Sequence, residues 1–119
     1  MNDGLCTRLA TVADVPAIVR HRRLMFESMG FCDATQNDAM DAAATRYLTA
    51  ALQSGEYLGW LVTTAEGGVV AGAGLKIIEL PGSPHNISGR SSYLMSMYVE
   101  PAYRRQGIAL HLVQTMIDW

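Results

Sequence analysis

The residues best suited to chemistry in this 119-residue chain form a short basic segment, Arg104-Arg105-Gln106-Gly107-Ile108-Ala109. The segment follows a β-rich stretch that ends at Val99 and precedes an amphipathic helical pattern. The first N–H groups of a helix lack intrahelical partners and carry the positive end of the helix dipole, so they bind anions. Gly107 lets the backbone approach a ligand, and the guanidinium groups of Arg104 and Arg105 suit phosphate oxygens. The sequence therefore predicts a site for a phosphorylated ligand.

Two better-known phosphate motifs do not fit this segment. The nucleotide P-loop needs Gly-Lys-Ser/Thr, and Ile108 and Ala109 occupy those places here. The dinucleotide fingerprint needs three spaced glycines that open a helix after an early strand. The close glycine pair Gly72-Ala73-Gly74 instead continues into Lys76-Ile77-Ile78 with no helix start. The loop therefore belongs to neither class.

The segment resembles the acyl-CoA pyrophosphate loop of the GNAT N-acetyltransferase superfamily. The signature of that loop is Arg/Gln-x-x-Gly-x-Gly/Ala, which residues Arg104 to Ala109 match. The strand ending in Met97-Tyr98-Val99, the following Pro101 and the amphipathic helix supply the context that the motif requires. The alternative is a basic turn that simply starts a helix with solvated arginines. The strand–loop–helix context favours the resemblance.

The resemblance implies that the chain uses acetyl-CoA as a cosubstrate and transfers its acetyl group to a primary amine of a small molecule or peptide. In that chemistry a base removes a proton from the ammonium, backbone N–H groups stabilise the oxyanion and an acid protonates the leaving thiolate. The backbone of Met97, Tyr98 and Val99 would serve the pantetheine arm and acyl carbonyl. The pyrophosphate would be held by the loop and the helix start, namely Arg104, Arg105, Gln106, Gly107, Ile108, Ala109 and Leu110.

Candidates for the base are carboxylates and histidines near predicted strand ends. We take Glu79, which closes the third strand, as the catalytic candidate; an exposed strand-end charge is the alternative. Glu100, His85 and His111 suit solvated surface positions, and water-mediated deprotonation remains open. The basic run from Arg20 to Arg23 indicates either a carboxylate-bearing acceptor or a solvated helix face.

Hydrophobic periodicity and turn residues predict the elements that position the loop. They comprise a strand at 5–9, a helix capped near Thr11 and ending by Gly30, a helix from about Asp38 to Ser54, strands at 57–63, 69–78 and 91–99, and a final helix with an apolar stripe of Ala109, Leu112, Val113, Met116 and Ile117. This β-α-α-β-β-β-α order predicts an α/β (α+β) fold of GNAT type. A mixed, mostly antiparallel sheet flanked by helices is expected.

We expect one domain spanning residues 1–119. The resembled family continues past this helix with a strand, a helix and usually two more strands, whereas the sequence stops within a helical pattern at Ile117-Asp118-Trp119. The expectation is therefore a truncated domain or one completed by a partner chain such as a second copy. The family's frequent acid, a tyrosine on the next helix, has no position here. The hypotheses are an N-acetyltransferase, a non-catalytic acyl-CoA-binding module and a dimerisation unit.

Composition narrows the class of protein. Half of the residues are hydrophobic and 17% are charged, which favours a packed core over disorder. A net charge of −2 argues against a nucleic-acid binder, and no stretch approaches the ~20 apolar residues of a membrane span. The opening residues lack a signal-peptide pattern, and Cys6 and Cys32 show no metal-ligand spacing. We expect a cytoplasmic protein with no metal.

Overall fold

The part of the chain that a computed structural model describes, residues 4–119, orders its elements as β1-α1-α2-β2-β3-β4-α3. The bounds are β1 Cys6–Leu9, α1 Val15–Ser28, α2 Ala34–Ser54, β2 Tyr57–Thr63, β3 Val69–Glu79, β4 Arg90–Val99 and α3 Ile108–Asp118. Single 3₁₀ turns lie at Val12–Asp14 and Pro101–Tyr103. The predicted α+β class and element order are confirmed.

The four strands form one sheet in the order β1-β2-β3-β4, and each described pair is antiparallel. Successive residues of a strand point to opposite faces, so β2 contributes to two cores. Tyr57 and Leu61 pack with α1 and α2 on one face, and Trp60 and Val62 pack with α3 on the other. The sheet is therefore a central layer that carries two helices on one side and one on the other.

Helix α2 begins at Ala34, four residues before the predicted start. The Asp33 carboxylate accepts a hydrogen bond from the Gln36 N–H at 2.9 Å, which satisfies one of the unpaired donors at the helix start. Gly55, at φ 82°, ends the helix in the left-handed conformation that glycine favours. Hydrophobic periodicity alone does not reveal the N-cap at Asp33, so it predicts too late a start for α2.

Helix α3 buries part of the predicted stripe, Leu112 and Met116 with Val113 packed beside them, and adds Ile108 to it. Ile108, Leu112 and Met116 are buried, whereas Ala109 is exposed and Ile117 is 70% exposed. The buried residues lie at i, i+4 and i+8 from Ile108, so the packing face is rotated from a stripe that begins at Ala109. This rotation leaves Ala109 and Leu110 at the helix start free to line a ligand groove. Within residues 4–119, no helix has the length and hydropathy needed to cross a membrane.

A capping network fixes the turn that leads into α1. Both terminal guanidinium nitrogens of Arg8 donate to Asp14 at 2.8 Å, and the Thr11 N–H donates to the same carboxylate at 2.7 Å. The hydrogen bonds from Arg8 lower the pKa of Asp14 from 3.8 to about 2. A carboxylate whose pKa is lower in the folded than in the unfolded state stabilises the fold above its unfolded pKa, and that contribution disappears as the pH falls through the folded pKa.

We therefore expect Asp14→Asn to lower the free energy of unfolding by about 1 kcal/mol at pH 7. The difference from the unsubstituted protein should shrink as the pH falls from about 4 towards 2. Urea unfolding across this pH range measures both effects. Glu66→Gln, which removes one negative charge from an exposed turn, should leave the stability nearly unchanged at pH 7. A gap between Asp14→Asn and the unsubstituted protein that stays constant with pH would contradict the charge argument.

Candidate functional site

A groove of about 540 Å³ lies where β4 ends and α3 begins. Its lining combines the end of β4, the basic loop, the first turn of α3 and the last turns of α1; the residues are Met25, Ser28, Met97, Tyr98, Val99, Tyr103, Arg104, Arg105, Gly107, Ile108, Ala109 and Leu110. The structure thus brings together every predicted cofactor-binding residue except Gln106. Met25, Ser28 and Tyr103 are additions, and the two from α1 come from a segment far away in sequence.

The backbone of the loop is curled by two left-handed residues. Arg105 has φ 63° and Gly107 has φ 79°, while the intervening Gln106 does not have positive φ. Within residues 4–119, the N–H groups of Arg105, Gln106 and Gly107 donate to no protein acceptor. Those of Ile108, Ala109 and Leu110 are the first of α3 and have no acceptor within the helix. Free N–H groups on a curled backbone at a helix start form a binding site for an anion.

The side chains of the loop add positive charge and one unsatisfied acceptor. Arg104 donates from Nε to the Val99 carbonyl at 2.8 Å, and its guanidinium carbon lies 5.5 Å from the centre of the Tyr98 ring. These contacts hold Arg104 against the strand end, with Arg105 beside it on the groove wall. The Oε1 atom of Gln106 is buried without a hydrogen-bond partner in the described chain. A buried acceptor of this kind calls for a donor from outside the protein.

A β-bulge interrupts β4 just before the groove. Gly74 pairs with Met95 and Gly72 pairs with Tyr98, so Ser96 and Met97 together oppose one residue of β3. Ser96 is left-handed at φ 58°, a conformation that costs a residue with a side chain roughly 1–2 kcal/mol. The bulge withdraws backbone groups from the β3 ladder, and on the other side of β4 the described chain places no strand. The extra residue of β4 is therefore left out of the ladder at an open strand edge, where a ligand can pair with the backbone.

Helix α1 is tied to the end of β4 by a buried histidine. His21 is 3% exposed, its Nε2 lies 3.0 Å from Glu100 Oε2, and its ring lies 5.2 Å from that of Tyr98. Arg20 donates to the same Glu100 oxygen at 3.0 Å. Burial acts to raise the pKa of Glu100, but the hydrogen bonds from Arg20 and His21 hold it below its ordinary value. Glu100 is therefore a structural anchor and a poor proton acceptor near neutral pH.

The other predicted candidates for a base lie away from the groove. Glu79 pairs with Arg90 at the start of β4, seven residues before Met97, which is about 23 Å along a strand. His111 lies 2.8 Å from the Thr7 hydroxyl through its Nε2, and His85 is exposed on the loop between β3 and β4. The structure does not bring these three side chains to the groove. In the described residues, His, Cys, Asp and Glu form no group of three or more that could hold a metal ion.

The groove has a positively charged end and an apolar remainder. The free N–H groups from Arg105 to Leu110 and the adjacent guanidinium groups match a polyanionic end. The apolar walls at Met97, Val99 and Ile108 match an uncharged arm that follows the open edge of β4. Positive charge is thus confined to one end of an otherwise apolar groove.

Comparisons with known proteins place this fold and groove in one family. The model of the GNAT acetyltransferase family matches residues 17–119. A GCN5-related N-acetyltransferase from Ralstonia eutropha is 30% identical, with a TM-score of 0.84, and the alignment covers 97% of this chain and 74% of that one. Among curated proteins, none matches the chain.

Two more distant structures share the fold. One is the crystal structure of a predicted acetyltransferase from Clostridium acetobutylicum with acetyl-CoA. Its sequence is 24% identical and its TM-score is 0.84, and the alignment covers 96% of this chain and 71% of that one. An aminoglycoside 6′-N-acetyltransferase from Acinetobacter baumannii is 19% identical at a TM-score of 0.71, covering 98% and 71%. The chain belongs to the GNAT acetyltransferase family.

Proposed function

We propose that the protein transfers the acetyl group of acetyl-CoA to the primary amine of a small molecule or peptide. The observation that carries the proposal is the groove at the end of β4, where free N–H groups, two guanidinium groups and an apolar channel follow one another. Backbone N–H groups from Arg105 to Leu110, with Arg104 and Arg105, would hold the pyrophosphate. The backbone from Met97 to Val99 would hold the pantetheine arm.

The transfer forms an amide bond between the amine nitrogen and the acyl carbon and breaks the carbon–sulfur bond of the thioester. The amine gives up a proton, and the departing thiolate takes one up. Backbone donors freed by the bulge at Ser96 and Met97 would stabilise the charge that develops on the acyl oxygen. The placement of Glu79 gives no support to the predicted base, and Glu100 is engaged by Arg20 and His21. In this proposal the ammonium proton passes to water.

If water accepts the ammonium proton, kcat/KM should depend on pH through the pKa of the acceptor amine. With saturating acetyl-CoA, kcat/KM should rise about tenfold per pH unit until it levels at the pKa of the acceptor amine, because only the neutral amine attacks. Two acceptors that differ in amine pKa should give profiles displaced by that difference. Thiol release measured from pH 6 to 10 checks this. An inflection that stays at the same pH for both acceptors would reveal a side-chain base and contradict water as the proton acceptor.

Binding and turnover together test the proposed function. Titration calorimetry should show saturable acetyl-CoA binding, and thiol release should appear with some members of an amine panel. Saturable binding without turnover would indicate a non-catalytic acyl-CoA-binding module. The absence of both would favour an interaction unit and overturn the proposal. Sedimentation of the same samples reports whether a second copy associates.

A further inference from the structure

A second cavity, of about 250 Å³, lies between α1, α2 and β4 on the sheet face that α1 and α2 cover. Its walls are mostly apolar, and the residues that the argument uses are Arg22, Met40, Ala44, Tyr47, Tyr57 and Met95. The cavity shares no lining residue with the groove, and short stretches of chain connect the two sites. Met95 of the cavity and Met97 of the groove flank the bulge, and Arg22 and Met25 are one helical turn apart on α1.

Arg22 brings to this cavity a positive charge that no carboxylate balances. The neighbouring cations of α1 are paired, Arg20 with Glu100 at 3.0 Å and Arg23 with Asp38 and Asp41 at 2.7 and 2.9 Å. Within residues 4–119, Arg22 has no ion-pair partner. Its Nη1 donates to the Ser96 hydroxyl at 2.7 Å, and its guanidinium carbon lies 5.6 Å from the centre of the Phe26 ring.

The Nε atom of Arg22 is buried and makes no hydrogen bond within the described chain. Leaving a buried donor of a charged group unpaired is costly, so the position favours an anion that accepts from it. Guanidinium groups match carboxylates through two parallel hydrogen bonds. The cavity therefore combines one carboxylate-binding group with an apolar chamber.

The volume of the cavity and the charge of its lining limit the kinds of ligand that it can bind. The volume lies just below the roughly 300–1,000 Å³ of typical small-molecule sites, which suits a compact ligand. A polycationic sugar would face Arg22 with no carboxylate among the lining residues to receive it. The contact of Arg22 with Ser96 places the charged end of the cavity at the bulge, where the acyl group is proposed to lie.

We propose that this cavity binds the acceptor, and that the acceptor is a small primary amine carrying both a carboxylate and an apolar group, as an apolar α-amino acid does. The inference rests on the proposed function. The carboxylate binds the guanidinium of Arg22, and the apolar group lies among Met40, Ala44, Tyr47 and Met95. The amine is then left near the bulge.

Matched pairs of amines test the proposal. L-leucine with 3-methylbutylamine, and L-phenylalanine with phenethylamine, differ within each pair by the carboxylate, which also lowers the pKa of the amine. The members of a pair are therefore compared at the high-pH plateau, where both amines are neutral. There we expect each amino acid to have a kcat/KM at least about tenfold above that of its decarboxylated partner, the worth of one hydrogen-bonded charge. The aminoglycoside sisomicin should be a poorer acceptor than either amino acid. Calorimetry in the presence of CoA, which has no acetyl group to transfer, should show binding of leucine and none of 3-methylbutylamine at the same concentration.

Variants assign the preference to Arg22. Arg22→Gln should bring the ratio within each pair close to one and abolish leucine binding, while acetyl-CoA affinity changes less than about twofold. Arg22→Lys should restore part of the preference. Arg46→Gln removes the same charge from an exposed position of α2 outside the cavity and should change neither ratio.

Several outcomes would overturn the proposal. They are equal use of both members of a pair by the unsubstituted protein, an unchanged ratio in Arg22→Gln, and a panel in which no carboxylate-bearing amine binds or reacts although acetyl-CoA binds. Failure of acetyl-CoA itself to bind would instead overturn the proposed function.

Discussion

Substitution of Gly107 by glutamate should reduce acetyl-CoA affinity by at least about a hundredfold, or ~2.7 kcal/mol, while the protein remains folded. Gly107 is the residue before α3, at φ 79°, and lies on the wall of the groove. A glutamate there places a carboxylate among the N–H groups that are proposed to hold the pyrophosphate. Like charges at such short range cost several kcal/mol, more than the backbone strain that the same substitution introduces.

A matched control separates the charge from the strain. Gly67, in the turn between β2 and β3, has φ 89°, and a Cβ atom at either glycine would meet no atom within 4 Å. Gly67→Glu therefore introduces the same charge and similar strain away from the groove. Both variants should lose about 1 kcal/mol of folding stability, and only Gly107→Glu should lose binding. Normal acetyl-CoA affinity in a folded Gly107→Glu protein would show that the loop does not hold the pyrophosphate.

Substitution of Gly74 by alanine should lower the free energy of unfolding by about 2–3 kcal/mol, the cost of overpacking a filled core. A Cβ at Gly74 would overlap the hydroxyl and ring of Tyr57, which is 2% exposed. Tyr57 is held among buried residues of the core of α1 and α2, and the open space beside it is the acceptor cavity, so the added methyl group forces the ring against that core or into that cavity. Urea unfolding measures the loss. Because Tyr57 also lines the acceptor cavity, turnover should fall more than acetyl-CoA affinity.

Two further variants test the steric origin of this loss. Gly68→Ala adds the same methyl group where its nearest neighbour, the Thr64 hydroxyl oxygen, lies at an ordinary 3.4 Å, and it should be nearly neutral. In a Gly74→Ala/Tyr57→Phe double variant the hydroxyl overlap is gone but the ring overlap remains. The double variant should therefore recover part of the stability that additivity would predict it to lose. Strict additivity would mean that the Tyr57 hydroxyl is not the group in the way.

The local parts of the site were predictable from sequence, and the long-range parts were not. The loop from Arg104 to Ala109 carries its own signal, because a strand, a glycine and an amphipathic helix follow one another in the chain. The pairs His21–Glu100 and Arg22–Ser96 are separated by 79 and 74 residues, and no periodicity relates them. The bulge at Ser96 was also beyond prediction, because the strand pattern gives no sign of an extra residue.

The pairing of β3 with β4 determines how far Glu79 lies from the groove. β3 and β4 are antiparallel neighbours joined by one loop, so the end of β3 lies beside the start of β4 and far from its end. The groove is at the end of β4. If β3 and β4 are assigned as a hairpin, Glu79 lies at the opposite end of β4 from the basic loop. The sequence favoured Glu79 as a base only because it is a carboxylate at a strand end.

Helix α1 faces both parts of the site from adjacent residues. His21 is fixed to the end of β4 through Glu100, and Arg22 lines the cavity proposed for the acceptor. A movement of α1 as a rigid body would alter both surfaces together. If acetyl-CoA changes the affinity for the second ligand by some factor, that ligand must change the affinity for acetyl-CoA by the same factor. The shared helix thus provides a route for reciprocal communication between the two substrates.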